Sequence, residues 1–153
     1  MNRRTRSTIA LALVCGASAC AGPRTASEEA VDNASTAVRA RAAQMREDVE
    51  YLWREQGEGD VVPIVQNSMA QNYIWLIDHR QEGGATVVDV AVHDVGSGDG
   101  FLLPDRQTVV VRLCVRLDVR KGAPVVMTDA PCPSTLDNSV RGLGTVKATV
   151  TLT

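Results

Sequence analysis

The segment of residues 107–120 constrains the fold of this chain more than any other segment. Its odd-numbered positions from 109 to 119 are all Val or Leu, and its even-numbered positions from 112 to 120 carry Arg, Asp and one Cys. Successive side chains of a β-strand point to opposite faces, so this alternation predicts a long strand with one apolar face and one polar, solvated face. A helix would spread the same residues around its whole circumference. The chain therefore contains a sheet with a core on one side.

The N-terminus has the pattern of an export signal. Three arginines precede an apolar run at residues 9–14, and small residues follow up to Cys20. This order is typical of a leader that is removed after export, and the run is too short for a bilayer-spanning helix of about 20 residues. We therefore expect residues 1–19 to be a signal peptide.

The end of this leader reads Ala17-Ser18-Ala19-Cys20. It resembles the lipobox of bacterial lipoproteins, in which the cysteine becomes the new N-terminus and is acylated, although Ala17 stands where the motif most often has Leu. The resemblance implies that Cys20 is lipidated and anchors the protein to a membrane. Ordinary signal peptidase can cut at the same Ala-x-Ala, so plain secretion is the alternative.

The cysteine count favours acylation. The chain has four cysteines, and Cys15 lies in the expected leader. If Cys20 is acylated, Cys114 and Cys132 are left, and two cysteines can pair in an oxidising compartment. If the hairpin after the long strand turns at Ala123, these two lie opposite each other, where Cα atoms about 4.5–5.5 Å apart allow a disulfide. We expect this pair to be a structural disulfide.

The mature domain is mildly acidic. The whole chain carries a net charge of −2, and its leader contains three arginines and no acid, so removal of the leader leaves −5. Such a domain is a poor candidate for binding nucleic acid or an anionic membrane surface through charge. The full length of 153 residues suffices for one domain with a modest core.

A regular apolar stripe predicts one long helix at residues 27–56, after a lipidated Cys20 and a short tether within residues 20–26. Ser27 is a good N-cap, and a capping box of Thr25 and Glu28 is the alternative start. The first half of the stripe is mostly Ala and Val, so we expect it to bury little and to fray. The same spacing could also form a coiled coil. The stripe consists of Val31, Ala34, Val38, Ala42, Met45, Val49 and Leu52.

The rest of the chain predicts a curved antiparallel sheet of four to five strands on which the helix packs. We expect the segment 61–65 to be extended, residues 73–77 to form an interior strand because both of their faces are apolar, and residues 81–84 to form a hairpin turn. The glycine-rich segment 96–104 is predicted to be a flexible loop. The predicted strands lie at about 71–80, 85–95, 107–120, 125–129 and 144–153 of a single α+β domain, residues 27–153.

No pattern of residues indicates catalysis or a cofactor. His79 and His93 are expected to lie well apart, which argues against a two-histidine metal site, and a pair of His93 and Asp94 lacks a nucleophile in a recognisable elbow. The segment 94–100 lacks the alternating acids and the closing Glu of a calcium loop. We therefore expect no enzyme activity, no cofactor and no metal.

The apolar residues Phe101, Leu102 and Leu103 end the glycine-rich segment. They could fold back on the core. The alternative is that they form a contact patch for a partner or a membrane.

The pattern VRLCVRLDV, followed by APCP, completes the set of features that carry a family resemblance. Together with the arginine-rich leader, the lipobox-like Cys20, the long helix and the Val/Thr-rich sheet, it resembles the small lipoproteins of high-GC Gram-positive bacteria. That resemblance implies a position on the extracytoplasmic face of the cell membrane. A long helix followed by antiparallel strands is also similar, at the level of the fold, to cystatin-like and NTF2-like proteins.

Two functions follow as expectations. The first is a lipid-anchored, non-enzymatic protein that binds another component of the cell envelope. The alternative is an NTF2-like domain, lipidated or secreted, that holds a small ligand between helix and sheet. A cavity lined by Trp53, Tyr73 or Trp75 would favour the alternative, and a filled core with an exposed patch at Phe101–Leu103 would favour the first.

Overall fold

A computed structural model describes residues 24–68, 73–99 and 106–153. One long helix packs on one face of a curled sheet, so the predicted α+β class is confirmed. Within the described residues the elements are α1 (Ala26–Glu55), α2 (Val62–Ser68), β1 (Ile74–Glu82), β2 (Ala85–Asp99), β3 (Arg106–Val119), β4 (Val126–Asp129), β5 (Ser139–Val140) and β6 (Gly144–Val150).

The sheet is mixed, whereas a purely antiparallel one was expected. Strands β1, β2 and β3 form an antiparallel meander, and β4 continues it along the second half of β3. The chain then passes to β5, reverses at residues 141–143, and returns as β6 between β5 and β3. Because of that reversal, β6 runs parallel to the first half of β3. The sequence does not indicate this reversal, because β5 and the paired part of β6 are too short to give a recognisable pattern.

The face of the sheet beneath α1, called the helix face here, carries the core. The apolar odd-numbered side chains of β3 all lie there and are at most 6% exposed, as the alternation predicted. Val90 and Val92 of β2 extend this layer, and Val38 and Val49 of α1 cover it, each with no exposed surface. Burial of β-branched side chains between a helix and a sheet therefore stabilises the domain.

Helix α1 begins at the capping box, which was the alternative start. The Glu28 backbone N–H donates to Thr25 Oγ1 (3.2 Å), and the Thr25 N–H donates to Glu28 Oε2 (2.9 Å). Ser27 therefore lies inside the helix. The observed bounds differ by one residue at each end from the predicted 27–56.

The alanine-rich half of α1 is buried, which corrects the expectation that it would bury little and fray. Ala30 and Ala34 have no exposed surface because Gly96 and Gly98 lie directly beneath the helix backbone. A Cβ atom on Gly96 would stand 2.3 Å from Ala30 O and Ala34 N, a separation that real atoms do not adopt. These glycines belong to β2 rather than to a flexible loop, because the missing side chains permit close approach of helix and strand.

Two further elements differ from prediction. The segment expected to be extended at 61–65 contains the start of α2, where Pro63 lies in the first turn and needs no N–H donor. Strand β1 lies at an edge of the sheet, with a bulge between Leu76 and Asp78, and is not interior. Its apolar residues 75–77 are half-buried for that reason. The hairpin predicted at residues 81–84 is present, with Glu82 paired to Ala85.

Candidate functional site

The opposite face of the sheet, predicted to be solvated, holds a buried polar pair. His93 of β2 and Arg112 of β3 are register partners, so their side chains point to the same side. His93 has no exposed surface and Arg112 is 3% exposed. The Trp75 ring lies against His93, and residues 130–138, here called the strap, bind Arg112. This face of the sheet is therefore named the strap face.

Arg112 joins the sheet to the strap. Its Nε donates to His93 Nε2 at 3.0 Å, and its Nη1 donates to the Asn138 side-chain oxygen at 3.1 Å. Its Nη2 donates to the backbone carbonyl of Asp137. Burial lowers the pKa of Arg112, and the nearby charge of Asp137 acts in the opposite direction. One guanidinium thus uses its rigid fork of donors to hold three acceptors from two parts of the chain.

His93 is neutral in this arrangement. Its Nε2 accepts a hydrogen bond from Arg112, so the ring proton is assigned to Nδ1. Within the described part of the chain, Nδ1 is buried and has no hydrogen-bond partner. The Trp75 ring lies beside the imidazole, with centroids 4.8 Å apart. Burial first, and the charge of Arg112 second, lower the pKa of His93 to about 4, against a weaker opposing effect of the Tyr73 carbonyl.

The predicted disulfide between Cys114 and Cys132 is present, with Cα atoms 5.4 Å apart. Its position in the hairpin differs from the prediction. Val115 pairs with Asp129, and the Ala130 N–H donates to the Cys114 carbonyl, so Cys114 faces Ala130 rather than Cys132. The disulfide therefore joins β3 to the strap beyond the end of β4. It fixes the first part of the strap to the strap face.

A second charged cluster lies further along the same face. Asp89 accepts two hydrogen bonds from Arg116, at 2.7 and 2.9 Å, and one from Arg80 at 3.1 Å. The bonds from Arg116, and then those from Arg80, lower the pKa of the Asp89 carboxyl. Because the carboxylate of Asp89 on β2 binds Arg80 on β1 and Arg116 on β3, this cluster holds three neighbouring strands together.

On the helix face, a groove of about 460 Å³ lies between α1 and the start of β1. Arg41 contributes a guanidinium that donates to Asp94 Oδ2 (2.7 Å) and lies 4.1 Å from the centre of the Tyr73 ring. Ala37, Met45 and Ile74 form part of the apolar lining. The groove combines a partly buried ion pair with an apolar wall, which is the composition of many small-ligand sites.

The three aromatic residues considered for a ligand cavity are not brought together. Trp53, near the end of α1, is buried and donates from Nε1 to the Gly59 carbonyl at 3.0 Å. Trp75 lies against His93 on the strap face. Tyr73 lies beneath Arg41 on the other side of the sheet.

The structure also locates the residues examined for catalysis and metals. His93 was expected at the end of a strand beside a loop Asp; it lies within β2, and its neighbour Asp94 points to the helix face and binds Arg41. His79 lies on β1 opposite Val88. No group of three or more His, Cys, Asp or Glu suited to a metal ion occurs in residues 24–68, 73–99 and 106–153.

Two predicted sites lie outside the described residues. Cys20, the expected lipidation site, precedes them. Phe101, Leu102 and Leu103, the possible contact patch, fall in the gap between β2 and β3. Both stay predictions.

Sequence reasoning missed the role of Arg112. The alternation of β3 correctly predicted that Arg112 lies on the face opposite the core. It also predicted that the Arg112 side chain is solvated, whereas this side chain is buried. The signal that could have found it is the register of β2 with β3, which puts a histidine opposite an arginine. That register was hidden because Gly96 and Gly98 were assigned to a loop.

No protein-family model, curated protein or solved structure matches this chain. In the described ranges, neither helix has both the length and the apolar character required to cross a bilayer.

Proposed function

We propose that this protein is an extracytoplasmic lipoprotein of the cell envelope, anchored through acyl chains on Cys20, and that its folded domain binds another envelope component without catalysing a reaction. The observation that carries the proposal is the Cys114–Cys132 disulfide downstream of a leader that ends in Ala-x-Ala-Cys. A disulfide is stable in an oxidising, exported compartment and is rare in a reducing cytosol.

The position of α1 adds an orientation to this proposal. The helix begins at Ala26, and the five residues between it and Cys20 could span at most about 18 Å if they were fully extended. The Asp99 N–H donates to Glu29 Oε2, so the junction of β2 with the following segment lies beside the start of the helix. This end of the domain would face the membrane. Phe101, Leu102 and Leu103 follow that junction, which agrees with their predicted role as a membrane or partner contact.

The other end of α1 is the region offered to a partner. A 30-residue helix is about 45 Å long, so its last turns lie far from the anchored end. There Tyr51 is 65% exposed and borders a groove of about 560 Å³ that also includes Pro124. An adjoining groove includes Val126, which is 53% exposed. The other lining residues of the groove beside Tyr51 are Arg and Glu side chains of α1, so this surface combines charged groups with an exposed aromatic ring. Tyrosine and arginine are both enriched at protein interfaces.

Intact-protein mass spectrometry of protein purified from its own envelope tests the anchor. We expect a chain that starts at Cys20, carries acyl chains and lacks two hydrogens because of the disulfide. A Cys20→Ser variant should lose the acyl mass and leave the membrane fraction, whereas Cys15→Ser, altered inside the leader, should not. An unacylated wild-type chain would contradict the proposal.

A small-ligand-binding function is the second candidate, and the groove beside Arg41 is the observation that favours it. Native mass spectrometry of the same purified protein separates the two functions. A small molecule retained at one-to-one stoichiometry, and lost in an Arg41→Gln variant, would support ligand binding. A protein partner released by Tyr51→Asp but retained by Lys147→Asp would support the first proposal.

A further inference from the structure

We propose that the His93–Arg112 pair is a pH-sensitive latch, which releases the strap from the sheet when His93 takes up a proton. The inference does not depend on the proposed function. It rests on a buried contact whose acceptor disappears on protonation.

The chemistry of the latch follows from the hydrogen bonds of Arg112. In the closed state, Arg112 donates to His93 Nε2 and to two acceptors of the strap, Asn138 Oδ1 and the Asp137 carbonyl. A protonated imidazole has an N–H at both ring nitrogens, so Nε2 can no longer accept. The Nε–H of Arg112 would then face a second N–H group and a second positive charge in a buried site. Both effects favour movement of Arg112 away from His93, and this movement breaks the hydrogen bonds that Arg112 donates to Asn138 and Asp137 of the strap.

The groups around His93 do not offset this repulsion. From β3 the charged neighbour is Arg112, and from β1 the Trp75 ring faces the imidazole. The Tyr73 carbonyl, just before β1, favours the protonated ring but is the weakest of the three influences on its pKa. From the strap, Asp137 acts on Arg112. On β2 itself, Asp94 is bound to Arg41 on the helix face, and Asp89 is bound to Arg116 and Arg80. In the described part of the chain no carboxylate therefore contacts the ring to stabilise its charged form.

Two fixed points limit the motion. The disulfide keeps Cys132 on β3, and pairing of Ser139 and Val140 with β6 holds the far end. Release therefore involves the six residues between these points. It would expose His93 and Arg112, which are now 0% and 3% exposed.

The size of the effect follows from linkage. With the strap attached, His93 has a pKa of about 4. With the strap released, the pKa of His93 should approach the ordinary value of 6.5. The opening equilibrium constant should then rise by up to about 60-fold between about pH 7 and about pH 4.5, because the open form binds the proton more tightly.

Hydrogen exchange of individual amides, corrected for the intrinsic pH dependence of exchange, measures this constant. In wild type we expect a tens-fold fall over this interval in the protection of two amides: Leu136, which donates to the Pro133 carbonyl, and Val146, which donates to the Asn138 carbonyl. The protection of Val90 and Leu113 should change less. His93→Gln keeps an acceptor for Arg112 but cannot take up the proton, so its strap protection should stay within about twofold. His79→Gln, on the β1 edge, should behave as wild type. Constant protection in wild type, or an equal fall in His93→Gln, would overturn the latch.

A second measurement needs no variant. The ring chemical shifts of His93 report its protonation directly in the wild-type protein. We expect no titration of the ring above about pH 5 while the strap amides are protected, and protonation together with loss of protection below that value. A ring that titrates near its ordinary pKa with the strap still protected would contradict the proposal.

Discussion

The two faces of the sheet are stabilised in different ways. On the helix face, valine, leucine and alanine side chains of β2, β3 and α1 form one continuous apolar layer. On the strap face, residues 130–138 are held at separate points, namely the Cys114–Cys132 disulfide and the hydrogen bonds of Arg112. A continuous layer loses packing only when the helix moves as a whole. Point attachments can be broken one at a time, so local opening is expected on the strap face rather than on the helix face.

The largest expected effect is on the helix face. Gly96→Val would place side-chain atoms where the backbone of Ala30 and Ala34 now lies, so α1 must shift away from β2. We expect a loss of about 3 kcal/mol or more in the free energy of unfolding, measured by urea denaturation. Gly59→Ala is the control, since the nearest atom to its added Cβ is 4.0 Å away. An effect of Gly96→Val no larger than that of the control would contradict the close approach of helix and strand.

Removal of the disulfide tests the strap face. The bridge has a sequence separation of 18 residues, so a double variant Cys114→Ala and Cys132→Ala should lose about 3 kcal/mol in the chain-entropy estimate. Equilibrium unfolding of the oxidised protein, the reduced protein and the double variant provides the measurement. If reduction left the unfolding free energy unchanged, the disulfide would not stabilise this face.

The pH dependence of stability should come from the strap face as well. The pKa of His93 is about 4 when folded, below the ordinary 6.5, so the neutral ring stabilises the native state fully above pH 6.5. This contribution is lost as the pH falls, by about 2 kcal/mol between about pH 7 and about pH 5. The carboxyls with lowered pKa values, Asp89 and Glu28, lose their contributions only at more acidic pH. Unfolding of wild type and His93→Gln at both pH values checks this, and equal slopes would refute it.

The smallest effect concerns the start of α1. Thr25→Ala removes the side-chain acceptor of the capping box and should cost about 1 kcal/mol. Thr36→Ala is a matched control, because the Thr36 hydroxyl bonds only to the Asp32 carbonyl within the helix. Alanine is the better helix former, so the control should be neutral or slightly stabilising. Thermal unfolding distinguishes the two, and a larger loss for Thr36→Ala would exclude Thr25 as the cap.

The sequence allowed prediction of the features that depend on local periodicity. The stripe of α1 from Ala34 to Val49 and the alternation of β3 are regular because one side of each element is buried, and both elements lie within one residue of their expected bounds. The last position of the predicted stripe is wrong: Leu52 is 39% exposed, and Trp53 is buried in its place. The pairing of Cys114 with Cys132 was predicted from their number and spacing, and it is present even though the assumed register was two residues off.

The features that depend on contacts between distant segments could not be read from local patterns. Gly96 and Gly98 were predicted to lie in a loop because glycine is typical of loops, and the sequence does not show that the alanines of α1 pack on them. The polar even-numbered residues of β3 were predicted to be solvated because local alternation does not show that the strap binds Arg112. The parallel pairing of β6 with β3 depends on a reversal of the chain that short strands do not reveal.

The most direct test of the difference between the two faces is hydrogen exchange at neutral pH before and after reduction of the disulfide. We predict that the amides of Leu136, which donates to the Pro133 carbonyl, and of Val146, which donates to the Asn138 carbonyl, lose protection on reduction. The amides of Val92 on β2 and Leu113 on β3 should retain most of theirs. Loss of protection on both faces by the same factor would show that they open as one unit and would contradict the account.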